Sequence, residues 1–131
     1  MKQFSHAASI FPVDNVLETA KYYRDKLGFD ISFVWDDPPT YAVVKREDAV
    51  GIHLVKKQDN YAPSKTHIAL RVFVRNVNEL YKEYIDKGVE IIEDIGNRDY
   101  GMRDFNIQDP NGYILNFGTG IELLENDKPS S

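Results

Sequence analysis

The chain has 131 residues, 42% of them apolar and 28% charged, which suits one compact globular domain, or two small units sharing a core, and excludes a disordered chain. It contains no cysteine, no run of 18 apolar residues and no signal-like start, so we predict a cytoplasmic protein without disulfides, thiolate metal sites, transmembrane helices or a secretion signal. With 16 Lys and Arg against 21 Asp and Glu, the net charge is −5; because no basic cluster is present, we predict that the chain binds neither nucleic acid nor anionic membranes.

The chain repeats itself at an offset of 61 residues. Between residues 6–26 and 67–87, 10 of 21 positions carry the same residue, where chance would supply about one or two. The identical pairs include His6 with His67 and Asn15 with Asn76. We infer two copies of one structural unit.

The first copy predicts a strand, a helix and three further strands. Residues 4–13 are rich in apolar side chains, which indicates the first strand. Asn15 can cap a helix, Glu18 stands where a capping box needs it, and Gly28 can end the helix in a left-handed turn. Residues 29–35, 41–46 and 50–56 predict the three short strands.

The second copy repeats this order, with a strand at 67–74, a helix from Asn76 to Gly88, and strands at 89–94, 102–108 and 113–118. Asp109-Pro-Asn-Gly112 predicts a tight turn, because proline fixes φ and glycine supplies a positive φ. We therefore predict an α+β fold of two βαβββ modules, 4–57 and 66–119, in a single domain, 1–120. A polar, loosely held tail, 121–131, is expected to follow.

Alternation along each strand sorts the side chains onto two faces. In the strand at 67–74, residues 68, 70, 72 and 74 form an apolar row that should pack under the helix, leaving His67, Arg71 and Phe73 on the other face. His6 and His53 fall on the same non-helix face in the first copy. Such a mixture of aromatic and hydrogen-bonding residues is typical of a ligand-binding surface. Arg71 would pair there with an acidic group of the ligand or with a neighbouring carboxylate.

Two segments resemble the vicinal oxygen chelate superfamily, the group of glyoxalase I, bleomycin resistance proteins and extradiol dioxygenases. They are FPVDNVLETAKYYRDKLGF at 11–29 and FNIQDPNGYILNF at 105–117, and the resemblance covers residues 4–120. It implies the glyoxalase/bleomycin resistance fold, in which curved mixed sheets surround a cup, usually within a homodimer. It implies no single activity, because the fold hosts isomerases, dioxygenases, thiol transferases and non-catalytic drug-binding proteins.

The resemblance also implies positions for a metal. Metal-dependent members carry one ligand on the first and last strand of each module, and the matching positions are Ala8, Val55 or His53, Ala69 and Asn116. Alanine and valine offer no donor atom, and asparagine lacks the charge of the expected glutamate. We therefore predict neither a metal nor another cofactor.

A shifted set of histidines is the alternative metal site. His6, His53 and His67 lie two residues before those positions, and three histidines with a water suit a catalytic zinc ion. Two residues of strand measure about 6.6 Å; if a two-fold axis relates the modules, opposite shifts would separate the histidines by about 13 Å. This geometry argues against a functional metal, although a His6/His53 pair that holds an ion stays open.

Among metal-free members, the chain resembles the bleomycin-resistance branch, whose members bind a cationic, aromatic drug without altering it. The net charge of −5 and aromatic residues near strand ends, Tyr100 among them, fit such a ligand. We predict a metal-free protein that sequesters a small organic ligand, cationic or aromatic, in a cup at a homodimer interface, and we assign no catalytic residue. The predicted ligand-binding residues are Trp35, Tyr41, His53, His67, Arg71, Phe73, Asn116 and His6. The alternative is a divalent-metal-dependent glyoxalase-like lyase or isomerase, or a dioxygenase.

Overall fold

A computed structural model describes residues 1–126 and divides the chain into two compact units, Met1–Ala62 and a second that begins at Pro63. The first unit contains β1 (Ser9–Val13), α1 (Val16–Asp25), β2 (Asp30–Trp35), β3 (Tyr41–Arg46) and β4 (Val50–Lys56). The second contains β5 (Ile68–Phe73), α2 (Val77–Asp86), β6 (Ile91–Asn97), β7 (Met102–Gln108), β8 (Ile114–Gly120) and α3 (Ile121–Asn126). The predicted α+β class, with two βαβββ modules, is confirmed.

Each unit forms one four-stranded mixed sheet. Sheet 1 has the order β1-β4-β3-β2 and sheet 2 the order β5-β8-β7-β6. In both sheets the first strand pairs parallel with the last strand of the unit, and the remaining neighbours pair antiparallel. A parallel pair needs a crossover connection, and α1 and α2 supply it.

Both long helices begin and end as their sequences predict. The side chain of Asn15 accepts a hydrogen bond from the backbone N–H of Glu18 at 2.9 Å, and Asn76 caps α2 in the same way. Gly28 and Gly88 follow the helices with φ values of 78° and 74°, in the left-handed region that glycine enters without a steric cost.

One face of each sheet is covered by a helix, and we call the other its open face. In sheet 1, α1 packs against β2, β3 and β4, and the alternating side chains Ala42, Val44, Ile52 and Leu54 are fully buried. The intervening residues of β3 and β4 therefore point to the open face.

In sheet 2, aromatic rings join the helix to the strands. Tyr84 of α2 contacts Phe105 of β7 and Phe117 of β8 in edge-to-face pairs, with ring centroids 6.2 and 5.4 Å apart. All three rings are buried. Phe117 thus belongs to the core row of β8, but the opposite row of this strand, which includes Asn116, is buried as well.

Three segments differ from the sequence prediction. The strand predicted at 4–13 begins only at Ser9; with the register Ser9↔Ile52 and β4 beginning at Val50, residues before Ala7 have no partner in β4. β5 begins at Ile68, which leaves His67 outside the strand. The predicted tail forms α3 over Ile121–Asn126, beginning where the N–H of Ile121 donates to the carbonyl of Gly101 at 2.9 Å. Residues 127–131 of that tail lie outside the described residues.

No helix within residues 1–126 combines the length and apolar character required to cross a membrane.

Candidate functional site

Aromatic side chains occupy the open face of sheet 1. Phe33 and Trp35 alternate along β2, and Trp35 is the register partner of Tyr41 on β3. Tyr41 lies on the open face because its neighbour Ala42 is buried on the helix side. Trp35 is 62% exposed and Phe33 is also exposed, so two large apolar side chains of this face are available to a ligand.

Tyr41 and His53 form a hydrogen-bonded pair beside these rings. The Tyr41 hydroxyl and the Nδ1 atom of His53 share a short hydrogen bond, and the two rings meet edge to face with centroids 5.5 Å apart. Phe33 meets Tyr41 in the same manner at 6.5 Å. The pair holds both polar rings in one orientation on a largely apolar face.

An open groove of about 610 Å³ runs beside this pair. Its lining includes His6, Phe33, Lys45 and His53, all within the first unit. The volume falls in the range of small-molecule pockets, about 300–1,000 Å³. His6 belongs to the irregular segment before β1, where its Nδ1 atom lies 2.8 Å from the Ser5 hydroxyl.

A polar row crosses the open face of sheet 2. Arg71 of β5, Asn116 of β8, Asn106 of β7 and Glu93 of β6 are register partners on successive strands. The Nδ2 atom of Asn116 donates to Asn106 Oδ1 at 2.8 Å, and Asn106 Nδ2 donates to Glu93 Oε2 at 3.0 Å. Since a carboxylate only accepts hydrogen bonds, Glu93 sets the orientation of both amides. The Oδ1 atom of Asn116 is left buried with no hydrogen-bond partner.

A second row, next to the first, contains Phe73, Gly118, Asp104 and Gly96. A Cβ atom at Gly118 would lie 2.9 Å from the Cβ of Asp104, and one at Gly96 would lie 3.1 Å from the Arg98 guanidinium. The two glycines therefore leave the space that Asp104 and Arg98 occupy. Phe73, at the end of the row, is 71% exposed.

Asp104 is the buried charge of this face, with 2% of its surface exposed. Arg98 Nε donates to Oδ1 at 2.8 Å, and the Tyr100 hydroxyl donates to Oδ2 at 2.5 Å. Burial opposes ionisation of Asp104, but hydrogen bonds from Tyr100, Arg98 and Asn116 outweigh it and hold the pKa of the carboxyl below its usual value. The same hydrogen bond to Asp104, together with burial, raises the pKa of Tyr100.

Arg71 approaches this carboxylate without a hydrogen bond to it. Its Nη1 atom lies 3.8 Å from Asp104 Oδ2, and the side chain is 39% exposed. The guanidinium carbon lies 5.8 Å from the centroid of the Tyr100 ring, within cation–π range. Of the two partners expected for Arg71, the structure thus contains the neighbouring carboxylate, in a charge contact that leaves part of the guanidinium exposed.

The donor atoms required for the implied metal are missing from its positions. Ala8 and Ala69 offer none, and the Asn116 amide is committed to Asn106. Ile10 and Arg71 are repeat partners 61 residues apart, and they pair with His53 and Asn116 respectively; strand register therefore makes His53, not Val55, the counterpart of Asn116. One imidazole and one amide do not fit a divalent ion, and among residues 1–126 no three His, Asp or Glu side chains come together.

The predicted ligand-binding residues fall into two separate groups. Sheet 1 brings Trp35, Tyr41 and His53 onto one face, and His6 lines the groove beside it; sheet 2 carries Arg71, Phe73 and Asn116. His67 is exposed in the chain that precedes β5 and belongs to neither face.

Sequence analysis did not identify the polar partners of sheet 2, which are Asp104, Asn106, Glu93 and Arg98. A signal was present, because Asp104 and Asn106 alternate with two core residues along β7 and therefore share the face of Asn116. Asp104 and Asn106 were identifiable on this ground. Arg98 was not, because it reaches the carboxylate from the turn after β6.

Comparison with known proteins supports the resemblance inferred from the sequence. The family model described as the Glyoxalase/Bleomycin resistance protein/Dioxygenase superfamily matches residues 3–117. A search of curated proteins finds no significant match.

Solved structures share the fold at low sequence identity. A superfamily member from Sphaerobacter thermophilus DSM 20745 is 19% identical, covers 88% of this chain and 98% of its own, and has a TM-score of 0.73. TnmS3, an antibiotic binding protein from Streptomyces sp. CB03234, is 19% identical, with coverages of 92% and 99% and a TM-score of 0.71. TioX from Micromonospora sp. ML1 is 13% identical, with coverages of 88% and 99% and a TM-score of 0.68. The family match, which spans most of the chain, establishes that the protein belongs to the Glyoxalase/Bleomycin resistance protein/Dioxygenase superfamily.

Proposed function

We propose that the protein reversibly binds a planar organic molecule on the open faces of its sheets and releases it unchanged. The observation that carries this proposal is the exposure of large aromatic side chains there: Phe33 and Trp35 on sheet 1, and Phe73 on sheet 2. Exposed aromatic side chains that share a strand face offer stacking surfaces at low entropic cost. The likeness to TnmS3, described as an antibiotic binding protein, supports binding as the activity.

The polar groups of these faces favour binding over catalysis. Asp104 is held as a carboxylate by Arg98 and Tyr100, which lowers its basicity and makes it a poor proton acceptor. Tyr41 and His53 bond to each other, and among the residues that line the groove Asp48 alone carries a carboxyl group. The positions implied for a metal lack donors, so the metal-dependent chemistry of the superfamily has no support in these residues.

We also propose, from the resemblance alone, that the protein acts in the cytoplasm as a homodimer. Sedimentation equilibrium at micromolar concentration tests the second part. A mass of about twice 15.1 kDa is expected, and a monomer at all concentrations would contradict it.

The binding proposal can be tested with 2-naphthamide, a neutral planar probe, by calorimetric titration. Trp35→Ala and Phe73→Ala each remove one exposed ring, and we expect at least one of them to weaken binding by about tenfold, because ring stacking and burial contribute on the order of 1.4 kcal/mol. Tyr61→Ala is the matched control, since Tyr61 is an exposed aromatic outside both sheets. Mass spectrometry should recover the probe intact.

Two results would contradict the proposal. Equal affinity of the wild type and both sheet variants would show that these rings do not bind the probe. Absence of binding to the wild-type protein would reject planar aromatic molecules as its ligands.

A further inference from the structure

We propose that the ligand is an aromatic acid whose anionic group is bound by Arg71 on the open face of sheet 2. This inference rests on the proposed function and names the chemical class of its ligand. It also replaces the cationic ligand that the bleomycin-resistance resemblance implied. The residues that support this inference all belong to the second unit.

The first step is the availability of hydrogen-bond donors on Arg71. Asp104 already accepts from Arg98 at Oδ1 and from Tyr100 at Oδ2. The contact of Arg71 with Asp104, at 3.8 Å, is too long for a hydrogen bond. A guanidinium has five donors in a planar fork that matches a carboxylate, and this one is 39% exposed.

The second step is the local charge. Arg98 contacts both Asp104, at 2.8 Å, and Glu93, at 3.4 Å, so this arginine is committed to the two carboxylates. Arg71 is the second cation of the cluster that it forms with Arg98, Asp104 and Glu93, and its side chain is 39% exposed. A ligand cation placed over Arg71 would meet like charge, whereas an anion would meet an arginine with open donors.

The whole-molecule charge of −5 acts against an anion only weakly. At physiological ionic strength the Debye length is about 8 Å, so exposed carboxylates farther away than this are largely screened. A direct contact between the ligand's anionic group and the Arg71 guanidinium is not screened in this way. The Arg71 guanidinium therefore has more influence than the net charge of the protein on which ligand binds.

The third step is the surface for the ring. Phe73 lies two residues beyond Arg71 on the same strand face, a spacing of about 6.6 Å. Phe73 and Tyr100 are 71% and 61% exposed, and the Tyr100 ring already lies against the guanidinium. An aromatic ring on Phe73 would bring a carboxylate substituent within reach of Arg71.

The fourth step is the unpartnered oxygen of Asn116, the register partner of Arg71. Its amide nitrogen is directed to Asn106, in an orientation that Glu93 sets, so the amide cannot turn over without losing this chain of hydrogen bonds. A buried acceptor without a donor is costly. We infer that the ligand carries an N–H or O–H group next to its acid.

The test compares three probes with one ring system and different charge: 2-naphthoate, 2-naphthamide and 2-naphthylmethylammonium, titrated calorimetrically in about 0.15 M salt. For the wild type we expect 2-naphthoate to bind about tenfold more tightly than 2-naphthamide, as for one charge-assisted hydrogen-bonded pair, and the ammonium probe to bind most weakly. Arg71→Gln should make the first two affinities equal. Arg71→Lys should keep part of the preference, since the charge remains and the fork is lost.

Arg75→Gln is the matched control, because it removes one exposed positive charge outside the strands and should leave the preference intact. Far-UV circular dichroism and melting establish that each variant is folded. If all three probes bind wild-type protein equally, or if Arg71→Gln keeps the preference for 2-naphthoate, the inference is wrong while the proposed function stands. If none of the probes binds, the proposed function itself fails.

The Asn116 step has its own comparison. 3-Amino-2-naphthoate, which carries an N–H donor next to the acid, should bind the wild type more tightly than 3-methyl-2-naphthoate by at least about threefold, the lower end of one hydrogen bond. Equal affinities of these two acids would remove the donor from the proposed ligand.

Discussion

Asp104 shows how a single residue can set the polarity of a sheet face. A buried carboxylate is tolerated only when it is paired and hydrogen-bonded. Arg98 and Tyr100 meet this requirement at 2.8 and 2.5 Å, and the glycine at position 96 leaves room for the arginine. The polarity of this face therefore depends on Arg98 and on the glycine at position 96 as well as on Asp104 itself.

The acid stability of the protein should depend on Asp104. Because its folded-state pKa is lowered, ionisation of Asp104 contributes stability above the unfolded pKa of about 3.9, and this contribution is lost as the pH falls through the lower folded value. Asp104→Asn should lower the free energy of unfolding at pH 7 by about 3 kcal/mol, since Arg98 then stays partly buried without its 2.8 Å charge partner and keeps only the longer contact with Glu93 at 3.4 Å. Urea unfolding between pH 3 and 7 measures both effects.

Asp99→Asn is the control for this experiment, because Asp99 is an exposed carboxylate of the adjacent turn. It should change stability by less than about 0.5 kcal/mol. If Asp104→Asn shows the wild-type stability, and the wild-type slope below pH 4, then Asp104 is not the charged, paired residue described above.

Gly118 provides a steric test of the same face. A Cβ atom there would lie 2.9 Å from the Cβ of Asp104 and 3.3 Å from the carbonyl oxygen of Arg103, neither of which is a flexible chain end. Gly118→Ala should therefore destabilise the protein by about 1–3 kcal/mol through overpacking. Gly51→Ala, with its nearest contacts at 3.9 Å, should be neutral or slightly stabilising, and thermal melting compares the two. Equal melting temperatures would contradict the close packing at Gly118.

At the scale of elements, the strands were predicted best where alternation and turn residues agree. β3, β4 and β7 have the predicted bounds, because apolar rows continue to both ends and turns with glycine, proline or acidic residues separate them. The first strand was predicted too long. Its early residues are apolar enough for a strand, but residues before Ala7 have no partner because β4 begins at Val50, and this limit depends on pairing register and not on local sequence.

Substitution of the two helix caps should have matched effects on the free energy of unfolding. Asn15→Ala and Asn76→Ala each remove a side-chain acceptor for a backbone N–H in the first turn, at 2.9 and 3.3 Å respectively. Each should lower the free energy of unfolding by about 1 kcal/mol, whereas Asn15→Ser should cost much less because serine also caps. Urea unfolding measures the differences. A loss from Asn15→Ser as large as that from Asn15→Ala would mean that another property of asparagine is responsible.

At the scale of the whole molecule, the two modules have the same strand order and a similar helix-covered face, and they differ on their open faces. The row Ile10, His53, Val43 and Phe33 in sheet 1 corresponds in register to the row Arg71, Asn116, Asn106 and Glu93 in sheet 2. The first row is mostly apolar and the second is polar. The internal repeat therefore predicts the same architecture for both modules, but it carries no information about surfaces at which the two copies have diverged.

Several residues of the candidate site were nevertheless assigned to the correct sheet face from the sequence. Alternation placed His53, Arg71 and Phe73 on open faces, since strand period alone decides which side a residue takes. Burial of Asn116 was not predictable in this way. It depends on Asn106 and Asp104 of the neighbouring strand, and these contacts follow from the register of β7 against β8.

The last prediction concerns metal binding, because this chain lacks the ligand residues expected of the metal-dependent members of the superfamily. A divalent ion whose free concentration is about 100 times its dissociation constant would stabilise the native state by about 2.7 kcal/mol, and its removal would lower the melting temperature by several degrees. The metal positions of this chain hold two alanines, one histidine bonded to Tyr41, and one asparagine bonded to Asn106. We therefore expect dialysis against a chelator to change neither the melting temperature nor the affinity for 2-naphthoate. Added Zn²⁺, Mn²⁺ or Ni²⁺ should likewise have no effect. Stoichiometric metal in the purified protein, with a melting temperature that falls on chelation and recovers with one ion, would instead favour the lyase, isomerase or dioxygenase alternative.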